Sequence, residues 1–305
     1  MPASDDRCSL RSLAAGEPLA GTASTIRHWL LVEHPGPWGR DGLLDARLPQ
    51  GLGRDLRALE LRTGARVLLI RKPIRAPLVD GHRILCVGID TREAWSGSVL
   101  LDRIEDAVSL DPRERGAFRH LGRHLGVEPL FVVCTHGRRD PCCAERGRPV
   151  AGTLAAAFPG ATWESTHVGG DRFAGNVVAF PHGLYFGRVE PDEGPDIARA
   201  YAEGRIGSLE RYRGRSSDPF HVQTAERALR AHLDLDRIDT LTRARSDRRG
   251  NVAEIVFGTP AGHHRVRLER VPGSPMRLTC HAANEETPRV WRVLAIERLV
   301  PEVRP

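Results

Sequence analysis

Two runs decide how this chain folds: L-F-V-V-C-T-H-G-R-R-D-P-C-C at Leu130–Cys143 and W-E-S-T-H-V-G-G-D-R-F-A-G-N-V-V-A-F-P at Trp163–Pro181. Leu130–Val133 is short, apolar and followed by a polar, Gly-containing segment, so it predicts a buried strand that stops at Cys134. Cys142 and Cys143 then read as loop residues beyond that strand. Pro149 suits the first turn of a helix whose apolar positions Val150, Leu154, Ala157 and Phe158 recur until Pro159-Gly160. A second strand is predicted over Thr162–Thr166, delivering His167 at its end, with Asp171 four residues on. Parallel strands joined by a crossover release their loops at one edge of a sheet. Soft sulfur from the first loop then meets imidazole and carboxylate from the second. Cys134, Cys143, His167 and Asp171, with Cys142 as an alternate ligand, are a candidate metal site.

Outward from this stretch, Gly175–Phe180 and Gly183–Val189 predict a hairpin turned by Pro181-His182-Gly183. Helices follow at Ile197–Tyr201 and His221–Leu233, the second with Val222, Ala225, Leu229 and Leu233 on one stripe. Beyond Asp234, Ala253–Phe257, His264–Leu268, Met276–His281 and Val290–Ile296 predict an antiparallel meander. Cys280 and His281 fall on its third strand. Neighbours on a strand point to opposite faces, so this pair reads as structural.

Upstream, Arg27–Val32, Ala65–Ile70 and His82–Ile89 predict strands, and Arg47–Arg62 ends in a helix. W-L-L-V-E-H-P-G-P-W-G-R-D parallels L-F-V-V-C-T-H-G-R-R-D, with Glu33 where Cys134 stands, and G-H-R-I-L-C-V-G-I-D parallels P-H-G-L-Y-F-G-R-V-E. The common order suggests an internal duplication whose first copy lacks the cysteines. Three units are expected: 1–125, a degenerate copy; 126–235, the unit carrying the cysteines; and 236–305, a small β module. Cys8 in the polar lead-in reads as a free thiol, and Cys86 as an apolar strand filler.

The chain has 305 residues, is 40% hydrophobic and carries a net charge of +6, with Lys72 its only lysine. Its arginines are interleaved with acids and only 5% of residues are aromatic, which argues against nucleic-acid binding. No run approaches the roughly 18–20 apolar residues of a membrane span. Met1–Leu10 lacks the apolar core of a secretion signal, so a cytoplasmic protein is expected. Six cysteines in such a chain argue for thiols or metal ligands over a disulfide scaffold.

The chain resembles the sucrase/ferredoxin-like family on C-T-H-G-R-R-D-P-C-C at Cys134–Cys143, H-V-G-G-D-R-F-A-G-N at His167–Asn176, P-H-G-L-Y-F-G-R at Pro181–Arg188, and W-L-L-V-E-H-P-G-P-W-G-R-D near the start. The resemblance implies an α/β, thioredoxin-like ferredoxin with a [2Fe-2S] cluster held by two cysteines and an H-x-x-x-H pair. Cys134 and Cys143 match the cysteines, and His167 matches the first histidine. Asp171 stands at the second. It either ligates through oxygen, leaves a water in its place, or abolishes the cluster. Nothing supports a paired-carboxylate glycosidase despite the first half of the family name.

Three chemistries compete for these residues. A [2Fe-2S] cluster with mixed sulfur and nitrogen ligands implies an electron carrier or oxidoreductase component, exchanging electrons with a protein donor or acceptor. Zinc accepts the same four side chains around one point. A metal-free thiol oxidoreductase is the third reading, and the absence of C-x-x-C counts against it. Gly169 and Gly170 are read as letting backbone approach the cluster, and Arg138, Arg139 and Arg172 as offsetting its charge. His136 and His182 are lesser candidates for replacement ligands, while Asn176 and Arg188 are read as loop braces.

Overall fold

The computed structural model describes residues 7–73, 81–89, 94–115, 129–300 and, as backbone alone, 123–125. Residue 126, at the expected boundary between the first two units, lies outside these. A short helix α1 (Cys8–Ala14) opens the described chain, where the sequence reads only as a polar lead-in. It is followed by β1 (His28–Glu33), α2 (Leu52–Thr63), β2 (Arg66–Arg71), β3 (His82–Gly88), β4 (Trp95–Leu101) and β5 (Arg123–Leu125). Next come β6 (Leu130–Cys134), α3 (Pro141–Ala157), β7 (Thr162–Ser165), β8 (Val177–Phe180), β9 (Leu184–Phe186), α4 (Glu193–Ala202), β10 (Tyr212–Arg215) and α5 (Phe220–Leu233). Strands β11 (Thr242–Arg249), β12 (Val252–Thr259), β13 (Gly262–Pro272) and β14 (Arg289–Leu299) complete the chain.

The first ten strands form one mixed sheet in the order β10-β9-β8-β6-β7-β2-β1-β3-β4-β5. In the first half, β1 pairs parallel with β2 and antiparallel with β3, which pairs antiparallel with β4. In the second half β6 does the same with β7 and β8, and β8 with β9. The halves meet where β2 runs antiparallel to β7. Both therefore have the same strand order.

Strands β1, β2, β6 and β8 carry continuous buried apolar runs because both faces are covered. Leu30 and Val32 join a core under α2, whereas Phe131 and Val133 join a second core under α3 and α4. On the opposite face Trp29, Leu31, Val132, Trp163 and Phe180 share one core. Trp29 on β1 and Phe180 on β8 stand four strands apart, about 19 Å in a flat sheet. Their ring centroids are 5.2 Å apart. The sheet is curled around this core.

The C-terminal module is a separate four-stranded antiparallel sheet, β11-β12-β13-β14. Its Ile255, Phe257, Val266 and Leu268 pack on Val222, Ala225 and Leu229 of α5, the stripe expected from spacing. The strand membership differs from the sequence reading. Thr242–Arg249 is the first strand, although its residues are mostly exposed and charged, because it pairs along its length with β12. Met276–His281 is not a strand: Met276 only bridges Glu286 within the long β13–β14 connection. No helix among the described residues is long and apolar enough to cross a membrane.

Candidate metal centre

Strand β6 ends at Cys134, as its apolar run predicts, and α3 begins eight residues earlier than Pro149 suggests. Asp140 caps it by accepting a hydrogen bond from Cys142 N at 2.9 Å, and Pro141 fills the first helical position. Cys142 and Cys143 thus lie in the first turn of a helix, where unsatisfied N–H groups and the helix dipole favour thiolate. Pro149 is inside the helix. Gly147 lets α3 pack directly on the end of β6, since a Cβ there would stand 2.1 Å from the Cys134 carbonyl oxygen.

Strand β7 lies parallel to β6, with Cys134 opposite Ser165, so His167 emerges beside Cys134. One potential ligand atom each from Cys134, Cys143 and His167 lies within 4.8 Å of the others. Asp171 joins them, its Oδ1 accepting from Cys143 Sγ at 3.1 Å and standing 2.9 Å from His167 Nδ1. That ring nitrogen is buried without an aligned hydrogen bond. An imidazole nitrogen beside two sulfurs and a carboxylate oxygen is a donor set suited to a soft or borderline metal. Cys134, Cys143 and Asp171 are at most 3% exposed, whereas the His167 side chain is 23% exposed.

The ionisation of the group follows from these contacts. The Cys143 thiol donating to Cys134 holds Cys134 well below the usual thiol range, with His167 assisting against burial. The same bond pushes Cys143 up. Burial works to lower His167, but the Asp171 carboxylate and Cys134 sulfur overcome it and raise the imidazole to about 9. Burial works to raise Asp171, and His167 outweighs it, keeping the carboxylate ionised. Cys134 and Asp171 are thus already in the charge state a metal needs, whereas Cys143 and His167 each have a proton to release on binding one.

The remaining candidates lie elsewhere. Cys142 is not with Cys134 and His167; its sulfur joins Cys8, Asp140 and Cys280. His136 Nε2 donates to the Gly39 carbonyl oxygen at 3.0 Å, and its ring stands edge-on to Trp38. His182 contacts the Tyr201 hydroxyl at 2.7 Å in the β8–β9 turn. Asn176 braces the second loop, donating to the Gly170 carbonyl and accepting from the buried Arg213. Gly170, at φ +82°, leaves room for that guanidinium, which would be 2.5 Å from a Cβ. Arg188 donates to Ser12, and Arg172 pairs with Glu17 at 2.9 Å. A cleft of about 540 Å³ opens beside His167 and His136, lined also by Arg40, Arg57, Arg66 and Arg139.

Sequence reasoning missed Asp140 and Gly147. The Asp140-Pro141 pair is a helix-start signal on its own, whereas the close approach at Gly147 has no sequence signature.

Fold and site define an α/β protein with a buried cluster of two cysteines and a histidine whose donor atoms are close enough to hold a metal ion. Residues 19–214 match the sucrase/ferredoxin-like family, and the chain belongs to it. It is similar to the "Altered inheritance of mitochondria protein 32" of Meyerozyma guilliermondii, 32% identical over 98 residues, which are 29% of this chain and 35% of that protein. The chain thus matches about a third of that relative's length. No solved structure matches.

Proposed function

We propose that this is a [2Fe-2S] redox protein of thioredoxin-like ferredoxin type, with Cys134, Cys143, His167 and Asp171 holding the cluster. The observation that carries this reading is the donor set: paired thiols from the β6–α3 junction facing an imidazole and a carboxylate from the β7 loop. Two ligands from each loop suit two irons, and membership of a ferredoxin-like family supports the same reading. The bound cluster would supply one-electron transfer, with a potential raised by replacing thiolate with histidine. The chain's own residues do the rest. Burial of Cys134 and Cys143 excludes water from the sulfurs. Asp171 orients the imidazole, and Arg213, fixed by Asn176 and Thr22, places a buried positive charge behind the loop. His167 is the candidate ligand with the greatest exposure, so electron and proton exchange would occur there, with a partner protein docking over the adjoining cleft.

A mononuclear zinc site is the second reading, favoured by the compactness of the sulfur and nitrogen donors. Their mutual separation within 4.8 Å suits one ion better than ligands spread over two. Anaerobic purification followed by visible spectroscopy and iron and sulfide analysis decides between them. The cluster reading expects colour and about two irons and two sulfides per chain. A colourless protein that stays iron-free after reconstitution with iron and sulfide rejects it.

A further inference from the structure

A second set of ligand-type side chains lies at the other side of the α3 N-terminus. We infer that Cys8, Asp140, Cys142 and Cys280 bind a structural zinc-class ion that clasps α1, the start of α3 and the β13–β14 connection. Their donor atoms all lie within 4.8 Å of one another. The three sulfurs form a nearly equilateral triangle: Cys8–Cys142 3.6 Å, Cys142–Cys280 3.3 Å and Cys8–Cys280 3.5 Å. Asp140 Oδ2 and Oδ1 stand 3.7 and 3.8 Å from Cys8 Sγ.

These separations discriminate between explanations. Tetrahedral zinc with Zn–S bonds of about 2.3 Å spaces its sulfurs by about 3.8 Å. The triangle needs to open by only roughly 0.2–0.5 Å to reach that value. A disulfide demands a sulfur separation of about 2.04 Å and always leaves one of the three cysteines over. A hydrophobic role for the thiols does not explain why three sulfurs converge beside the carboxylate that caps α3. Cys8 and Cys142 are fully buried, and Asp140 is buried with them. Moreover, the shell around the donors is already built. Cys280 N and Cys142 N both donate to Asp140, at 2.7 and 2.9 Å, and Cys8 N donates to Cys280 Sγ at 3.4 Å. Ser9 Oγ stands 3.3 Å from Cys142 Sγ. Such outer-shell bonds fix ligand geometry and disperse thiolate charge.

The ligands come from positions 8, 140, 142 and 280, so one ion would close nearly the whole length of the chain. Closing so long a loop removes much entropy from the unfolded chain. The C-terminal sheet is already packed on α5; the clasp anchors its long β13–β14 connection at a second point. Zinc has no redox chemistry, so this centre would support the neighbouring one without exchanging electrons.

The test isolates this centre from the one at Cys134 by using full-length Cys134→Ser/Cys143→Ser protein and titrating it with cobalt(II). About one cobalt per chain, with the intense ligand-field bands of tetrahedral thiolate coordination, is expected. Adding Cys280→Ser or Cys8→Ser should abolish those bands. No tetrahedral cobalt in the double variant, or bands unchanged by both further substitutions, overturns the inference. Wild-type protein provides the second arm should the variants fail to fold. Zinc bound at purification should protect Cys8, Cys142 and Cys280 from alkylation, and a chelator should expose them at least tenfold faster. Equal alkylation with and without chelator, or a Cys142–Cys280 disulfide in metal-replete protein, overturns it as well. Either arm is independent of whether iron occupies the first centre.

Discussion

The two halves of the ten-stranded sheet have the same strand order, yet their equivalent strand ends do different work. At the end of β6 stands Cys134, facing Cys143, His167 and Asp171. At the end of β1 stands Glu33, 3.8 Å from Arg83, followed by His34. The end of β2 supplies Arg71, which pairs with Glu164 of β7 at 2.6 Å and lies over the Trp38 ring at 4.3 Å. Lys72 then donates to the carbonyls of Pro159, Gly160 and Thr162 in the other half. One half gathers soft donors, whereas the other grips its neighbour with cations. A shared topology therefore provides the place, and the side chains at the strand ends determine whether it gathers metal-type donors or forms a joint.

The largest effect that could break this contrast comes from removing a donor. If the proposed cluster is present, Cys134→Ser or Cys143→Ser should each eliminate its visible absorption and most of its iron. Glu33→Gln, at the equivalent strand end, should leave both unchanged. Loss of iron in the Glu33 variant alone would show that the first half, not the second, carries the centre.

Glycine substitutions on α3 test the packing beneath the ligands. Gly147→Ala drives a methyl into the Cys134 carbonyl, and overpacking of this kind costs about 1–3 kcal/mol. It should also reduce iron content, because relief requires α3 to move away from β6. Gly152→Ala, on the exposed side of the same helix with nothing within 4 Å, should stabilise the protein by up to about 1 kcal/mol. Denaturant melts of the two variants check this. Equal stability for both would mean that the close contact does not hold Cys134 in place.

Much of this was legible in sequence, and the exceptions have physical causes. Leu130–Val133 is an apolar run and Thr162–Thr166 a short stretch rich in β-branched and aromatic residues, and both are buried, so strand type and the positions of Cys134 and His167 could be read directly. The start of α3 could not be placed from Pro149, because Asp140 and Pro141 supply a stronger start signal upstream. Thr242–Arg249 is charged and exposed, and only its pairing with β12 makes it a strand. Cys8 and Cys280 carry no local signal at all: the curled fold and the α5-docked sheet bring them to Cys142 across more than 130 residues. Spacing rules find ligands within a loop but not ligands assembled from three distant segments.

Asp171→His sharpens the contrast within the ligand-bearing half. It restores the H-x-x-x-H pair that the family resemblance implies and replaces a charged carboxylate with a neutral imidazole. Cluster occupancy should be retained and the midpoint potential should rise, because the oxidised centre loses one negative charge. Protein-film voltammetry reads the shift. An unchanged potential would indicate that Asp171 is not among the groups bearing on the iron.

The smallest expected effect concerns His34, the residue that follows Glu33 in the half without ligands. Its Nε2 donates to the Arg47 carbonyl oxygen at 2.9 Å, while its Nδ1 accepts from Gly36 N at 3.2 Å. Those roles require the neutral ring, since a proton on Nδ1 would confront the Gly36 N–H. Burial lowers its pKa below the ordinary 6.5, the Arg47 contact opposing and nearby His82 assisting. The unfolded chain then binds a proton at pH values where the folded protein does not. Stability consequently falls as pH drops below about 6.5 and stops falling once pH passes below the depressed folded value. His34→Gln, which cannot titrate, should flatten that part of the stability profile while leaving iron content unchanged. Denaturant unfolding across the acid range measures the slope. A slope unchanged by the substitution would show that His34 does not create the acid sensitivity, and an accompanying loss of iron would tie this residue to the metal centre after all.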